Sequence, residues 1–305
     1  AKYNQILTDF EEFAWEEYGP MFGGVYFDRG NCLMALQQYA EAAESFKKCH
    51  EEYPNNAKVP YGTRQEASRK PSTNMRWELA LFQLGFAHQQ QEDFEGALEQ
   101  YQKFLDLKPD PSILKPIHAG FILRKGGALI GAGKVDEGAK EITRLFSEYS
   151  TTFRGTSGQV LFQAMLELCK GWVEAANGDG DKEAIAKSAN EFLNNYGHMF
   201  SISPYDKERL GFVERLRIMG YQSQTAGLNV LALRFFAMVP TTQNILEDLN
   251  SRAAQTGGAA RARYDEIIKT YEEKLTSDNP PEVDTLRLIA RAWEGLGNRR
   301  ACLLY

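Results

Sequence analysis

The sequence is poor in the residues that build metal centres and disulfide frameworks. It contains four cysteines and four histidines among 305 residues, and it has neither a CxxC nor an HExxH motif. Scattered cysteines are typical of small core side chains rather than of a disulfide framework. A disulfide between Cys32 and Cys49 stays open, because the sequence does not test its geometry. No metal and no cofactor are therefore expected.

Long hydrophobic runs are also absent. The nearest candidate, residues 229–240, is shorter than the roughly 18 residues that a membrane-spanning helix needs, and it contains Arg234. The net charge of −6 argues against nucleic acid or an anionic membrane as the main partner. No signal peptide is visible after Ala1. The expected partner is thus a protein or a peptide, and these features do not determine the compartment.

Residues 76–110 contain the clearest pattern, which is that of two amphipathic helices separated by a short polar break. Apolar and small residues recur there at helical spacing, namely Leu81, Leu84, Gly85 and His88 in the first half and Phe94, Ala97, Tyr101 and Phe104 in the second. Pro109 ends the run. We expect the two helices to cross at Gly85 and Ala97, because these residues have almost no side chain to hold the backbones apart.

The order Leu-Gly, then Ala-x-x-x-aromatic, then Pro resembles a tetratricopeptide repeat (TPR), a unit of about 34 residues. The sequence departs from that pattern at His88, where the family prefers tyrosine, and we expect a packed histidine there rather than a ligand. The resemblance implies an all-α fold, a right-handed α-solenoid of stacked antiparallel helix pairs.

Weaker copies of the pattern predict one continuous TPR-like array over residues 1–305. The predicted units are residues 1–19 (partial), 23–56, 78–111, 119–152, 157–197, 205–240, 241–276 and 281–305 (partial). Residues 57–77 interrupt the period as an irregular basic connector, since they contain Pro60, Gly62 and Pro71. Both ends of the sequence look cut through repeats, so a segment of a longer array is expected.

Two motifs that suggest chemistry lack the required residues. Residues 125–134 do not form a phosphate-binding loop, because position 128 is alanine and valine follows Lys134. In residues 177–181, polar and acidic side chains alternate with glycine, as ligands do in a calcium loop. Such a loop needs glycine at the sixth position and glutamate at the twelfth, and these positions hold Lys182 and Ser188. A polar turn in which Asp181 caps the next helix is expected instead. No catalytic residues are predicted, and the protein is not expected to be an enzyme.

The family resemblance implies that the first helices of successive units line a concave groove. The corresponding positions are Phe27, Asn31, Met34, Phe82, Gln83, Phe86, Gln89, Leu123, Arg124, Ile130, Arg217 and Tyr221. Only Asn31 matches the lysine and asparagine clamp of chaperone-tail binders, so that subclass is not expected. An apolar, aromatic groove with two arginines suits a helix or an extended peptide with some acidic character. The alternative is that neighbouring helices already cover these side chains.

The connector carries five basic residues against one acidic residue, which is a local inversion of the chain's charge. The basic residues are Lys58, Arg64, Arg69, Lys70 and Arg76. They form either a solvated loop or a contact for an acidic partner.

These features predict a non-catalytic protein–protein interaction scaffold, acting within a larger assembly. Helix endings such as Phe46-x6-Tyr53-Pro54 are also similar to bacterial envelope repeat proteins. That similarity gives a first alternative, a self-associating structural component of a bacterial surface or envelope assembly, and it favours the periplasm or envelope over the cytoplasm. A second alternative is the substrate-presenting arm of a longer enzyme.

Overall fold

The computed structural model describes residues 2–10, 19–52, 75–109, 111–149, 156–200, 202–276 and 282–304. All regular structure in these ranges is helical, which confirms the predicted all-α class. The chain divides into two compact units, residues 1–147 and residues 148–305. Each unit is described by itself.

The first unit is built from helices joined mostly by short turns. They are α1 (Lys2–Phe10), α2 (Gly19–Ala35), α3 (Tyr39–Glu51), α4 (Met75–Gln90), α5 (Phe94–Asp106), α6 (Pro111–Gly131) and α7 (Val135–Tyr149), the last of which extends past the unit boundary. Consecutive helices pack on each other, α2 with α3 and α4 with α5.

The second unit follows the same plan with one added short helix. Its elements are α8 (Thr156–Asn177), α9 (Lys182–Tyr196), a 3₁₀ turn (Gly197–Phe200), α10 (Pro204–Arg209), α11 (Phe212–Thr225), α12 (Asn229–Ala237), α13 (Thr242–Ala254), α14 (Gly258–Leu275), α15 (Glu282–Gly295) and α16 (Arg299–Cys302). Helix α11 packs on α12, α13 packs on α14, and α10 lies against both α11 and α13.

A glycine on the first helix of four pairs faces a large side chain on the second helix, always sixteen residues later in the sequence. These contacts are Gly30 with Phe46, Gly85 with Tyr101, Gly126 with Ile142, and Gly220 with Phe236. A Cβ at any of these glycines would lie within 2.6 Å of the facing side chain, which is closer than real Cβ contacts come. The predicted close crossing at Gly85 is therefore confirmed, and the same spacing recurs in both units.

The core of the first unit joins three helices through aromatic rings. Phe82 of α4, Tyr101 and Phe104 of α5, and Phe121 of α6 are all buried, with ring centroids 5.6–6.1 Å apart in tilted or edge arrangements. Such arrangements are preferred by aromatic pairs and add to the stabilisation from burial. This cluster places α4 and α6, the first helices of two successive pairs, side by side.

Five of the turns between paired helices contain one residue in the left-handed region. The φ values are 61° at Gln37, 63° at Glu92, 78° at Gly133, 83° at Gly227 and 71° at Gly297. A side chain in this conformation costs about 1–2 kcal/mol, whereas glycine adopts it freely. Two of the five turns therefore carry backbone strain that the other three avoid.

Glycine at either strained turn is expected to stabilise the protein. Gln37→Gly and Glu92→Gly should each raise the free energy of unfolding by about 0.5–1 kcal/mol, because the relief of strain exceeds the extra entropy that glycine loses on folding. Urea denaturation followed by circular dichroism measures the change. Gly133→Ala is the matched control and should have the opposite sign. A lower unfolding midpoint for Glu92→Gly would contradict this account of the turns.

Candidate functional site

Three of the predicted groove residues lie in the core instead. Phe27 is 8% exposed, Phe82 is 6% exposed and Ile130 is 2% exposed. The reason is that their side chains are turned toward the second helices, as in the edge contact between Phe27 and Phe46 at 5.7 Å. Their burial removes them from the surface that a partner can contact.

Most of the remaining predicted residues of the first unit are half-buried. Met34 of α2 is partly buried and packs against the hydrophobic core. Asn31 and Leu123 keep part of their side chains at the surface. The Gln89 side-chain oxygen accepts a hydrogen bond of 3.0 Å from the Tyr101 hydroxyl. Burial raises the pKa of Tyr101 above its usual range, so this hydroxyl remains a donor at neutral pH. Gln89 is thus already engaged within the repeat.

Arg124 on α6 forms a bridge to α4. Its guanidinium lies 3.6 Å from the ring centroid of Phe86 and 4.7 Å from that of Phe82, and its Nη1 donates a hydrogen bond of 3.2 Å to Gln83 Oε1. A cation over an aromatic face is attracted by the ring quadrupole. Burial lowers the pKa of Arg124 to about 10, so the guanidinium stays charged at neutral pH. Within the described part of the chain, Arg124 forms no ion pair with a carboxylate.

The predicted residues of the second unit lie on α11. Arg217 Nε donates a hydrogen bond of 3.0 Å to Thr285 Oγ1 on α15, and Tyr221 is 51% exposed. Ile218, one helical turn before Tyr221, is 46% exposed. Ile218 was not among the predicted groove residues, although its position three residues before Tyr221 places both on one face.

An open cleft of about 350 Å³ lies between α8 and α11. The cleft combines apolar and charged side chains, which are Leu166, Glu167, Lys170, Val173 and Glu174 of α8 and Arg215, Ile218, Met219 and Gln222 of α11. Two buried contacts hold the helices together beside it: Phe162 stacks on Phe212 at 3.8 Å, and Cys169 Sγ lies 3.7 Å from Ser223 Oγ. The α8 residues were not predicted, because the pattern of that unit is weak.

The side chains of the five basic connector residues fall outside the part of the chain that the structure describes. Lys58, Arg64, Arg69 and Lys70 lie outside the described residues, and so does the side chain of Arg76. Their predicted contact with an acidic partner stays a prediction.

The motifs that resembled ligand sites have structural roles. Asp181 accepts hydrogen bonds from the backbone N–H groups of Glu183 and Ala184 at 2.9 and 3.3 Å, which confirms the predicted helix cap. His88 Nδ1 lies 2.7 Å from Asp93 Oδ2, and Asp93 in turn caps α5 through the Gly96 N–H. No group of three or more potential metal ligands occurs among the described residues. These residues also include no helix that is both long and apolar enough to cross a membrane.

The cysteines in the structure are free thiols, including Cys32 and Cys49. Burial raises the pKa of Cys169 to about 12, so this thiol is protonated at neutral pH and acts as a packing residue against α11.

Four helix pairs share the same contact between a glycine and a large side chain, at a constant separation in the sequence. This repetition is typical of helical-repeat proteins. A family model described as tetratricopeptide repeat matches residues 23–56 and 78–111. These segments coincide with the pairs α2–α3 and α4–α5. Residues 23–56 and 78–111 are thus tetratricopeptide repeats, as predicted. No curated protein matches the chain. Repeats of this family point generally to protein–protein interaction, and they are typically not catalytic modules.

Proposed function

We propose that the protein is a non-catalytic scaffold whose first helices bind a helix or an extended peptide of a partner protein, within a larger assembly. The observation that carries this proposal is the apolar pair Ile218 and Tyr221, which are 46% and 51% exposed beside the cleft between α8 and α11. Large apolar side chains at the edge of a concave surface are a common feature of peptide-binding grooves.

The cleft supports the proposal through its shape and its lining. Its volume of about 350 Å³ lies within the range of small ligand-binding clefts. Val173 and Met219 contribute to the apolar lining. The charged lining mixes the cations Lys170 and Arg215 with the carboxylates Glu167 and Glu174. A peptide with apolar anchors and flanking polar residues fits this combination.

The test is selection of short random peptides on the immobilised protein, followed by affinity measurement on variants. An enriched peptide should bind Ile218→Asp and Tyr221→Ala at least about tenfold more weakly than the unmodified protein. The first change removes apolar contact area in the cleft, and the second removes it on the adjoining surface of α11. Both residues are exposed, so the melting temperature should stay unchanged.

Val230→Asp is the matched control. Val230 is 42% exposed, but it lies on α12, the second helix of the pair. Its replacement should leave peptide affinity unchanged. Failure to enrich any peptide, or equal losses in all three variants, would count against binding on the first helices.

A further inference from the structure

Helix α15 packs directly on α12, two helices earlier in the order of the chain. Ala232 and Phe236 of α12 are buried together with Ala292 of α15. Gly295 at the end of α15 lies against the side chain of Asn229 at the start of α12, so the two helices run antiparallel. The end of α12 therefore lies near the start of α15, although α13 and α14 come between them in the sequence.

The hairpin of α13 and α14 lies outside this stack of helices. Its buried side chains form a core of their own, which contains Ile245, Leu246, Leu249, Ala253, Ile268 and Tyr271. Among the described helices, α13 does not pack closely on α12, and α14 does not pack closely on α15. The hairpin also lacks the glycine contact that the four pairs above share, because α13 contains no glycine.

Helix α10 belongs with this hairpin. The Tyr205 side chain of α10 packs against the hairpin core, and Arg252 Nη2 of α13 donates a hydrogen bond of 2.7 Å to Asp206 Oδ2 of α10. The contact of α10 with α12 is polar instead, since Lys207 Nζ donates a hydrogen bond of 3.0 Å to the carbonyl oxygen of Met238 at the end of α12. An apolar core thus joins α10, α13 and α14 to each other.

We propose that α10, α13 and α14 form a side module that opens as one cooperative unit, while α11, α12 and α15 stay packed. Helices that share a core and make few apolar contacts with their neighbours can open separately from the rest of a protein. Residues 241–276 are then an insertion rather than one of the repeats that the sequence predicts. The opening is independent of the proposed peptide binding, because the cleft between α8 and α11 contains no residue of the module.

A continuous array makes the opposite prediction. If α13 and α14 formed a repeat within the stack, a defect in their core would pass to α15, because neighbouring repeats stabilise each other. A separate module confines such a defect to α10, α13 and α14. The two arrangements therefore differ in which helices lose protection against hydrogen exchange.

Hydrogen exchange of the full chain at low urea concentrations, followed by mass spectrometry, measures this protection helix by helix. Leu249→Ala should speed exchange in α13 and α14 at least about tenfold, because Leu249 is fully buried in the module core. Arg252→Met should speed exchange in α10, α13 and α14 together, since it removes the link between α10 and α13. In both variants the exchange rates of α12 and α15 should stay within about twofold of the unmodified protein.

Ala292→Leu is the reciprocal variant. Ala292 is fully buried where α12 and α15 meet, so leucine overpacks that contact. Exchange in α12 and α15 should become faster, whereas exchange in α13 and α14 should stay unchanged. Ala292→Val replaces this variant if it does not fold. Lys269→Met is the control for a change on the module surface, because Lys269 is exposed on α14, and it should alter no helix.

Faster exchange in α15 together with α13 and α14 after Leu249→Ala would overturn the module. Loss of folding of the whole chain in that variant would do the same, as would unchanged exchange in α13 and α14. Faster exchange in the hairpin after Ala292→Leu would also contradict a separate module. The proposed peptide binding is tested apart from these results, by the affinity of Ile218→Asp for an enriched peptide.

Discussion

Gly85→Leu is expected to lower the free energy of unfolding by about 3 kcal/mol or more. A Cβ at this position would lie 2.6 Å from Cε1 of Tyr101 and 3.1 Å from the carbonyl oxygen of Ala97. Tyr101 is fully buried, so its ring has no free space into which it can move. Overpacking of a dense core typically costs about 1–3 kcal/mol for added methylenes, and a leucine adds a whole branched side chain.

The damage should extend beyond one helix pair. The Tyr101 ring also contacts Phe82 of α4 and Phe121 of α6, at centroid distances of 6.0 and 5.7 Å. Moving this ring therefore disturbs the packing of the next pair as well. Ala97→Leu should act in the same way, because Ala97 is fully buried where the two helices cross. Repeat arrays depend on such contacts between neighbours for their stability.

Gly120→Ala is the matched control for this prediction. A Cβ at Gly120 would meet nothing within 4 Å, and the residue lies inside α6. Alanine should stabilise that helix by up to about 1 kcal/mol, because glycine is the weaker helix former. Melting temperature and urea midpoint measure all three variants. An unchanged melting temperature for both Gly85→Leu and Ala97→Leu would refute the packing account.

Arg252→Met should cause the second large loss, about 2–3 kcal/mol. Arg252 Nη2 donates to Asp206 Oδ2 at 2.7 Å and Nε donates to Asp248 Oδ1 at 3.2 Å, which ties α10 to α13. Less than a third of each of these three side chains is exposed. Hydrogen bonds to charged groups contribute about 1.5–3 kcal/mol. Their loss leaves Asp248 without its cation and Asp206 with Arg209 alone.

The same network predicts a dependence of stability on pH. Burial alone would raise the pKa of Asp206, but the hydrogen bonds from Arg252, Arg209 and Ser203 outweigh it and hold this pKa below its usual value of 3.8. A carboxylate with a depressed pKa stabilises the fold fully above its unfolded pKa, and this contribution is lost as the pH falls through the folded pKa. The stability contributed by Asp206 should therefore disappear below about pH 4.

Urea denaturation at about pH 6 and about pH 3 tests both parts of this prediction. Arg252→Met should cost less at the lower pH, since Asp206 is then becoming protonated in either protein. Arg261→Met provides the control, because the Arg261–Asp265 pair is exposed within one helix and such pairs contribute at most about 1 kcal/mol. Equal losses for Arg252→Met and Arg261→Met would mean that the network does not hold α10 in place.

The two sets of contacts differ in how far the sequence could predict them. The crossing at Gly85 and Ala97 was predicted, because the two residues are close in sequence and the helical period places both on facing stripes. The Arg252–Asp206 ion pair joins residues that are 46 positions apart, and neither residue belongs to the repeat pattern. The two residues meet only because α10 packs on α13, and this packing cannot be read from local spacing in the sequence.

The amino-acid sequence by itself determined the helix pairs, the glycine contacts between them and the two tetratricopeptide repeats, since these depend on spacing within about 34 residues. Only the tertiary structure decided which groove positions are accessible. Phe27, Phe82 and Ile130 turned out to be core residues, whereas Ile218 is exposed and Arg124 lies half-buried on Phe86. The physical reason is that exposure depends on which neighbouring helix covers each face, and that arrangement follows from the packing of whole helices rather than from any single repeat.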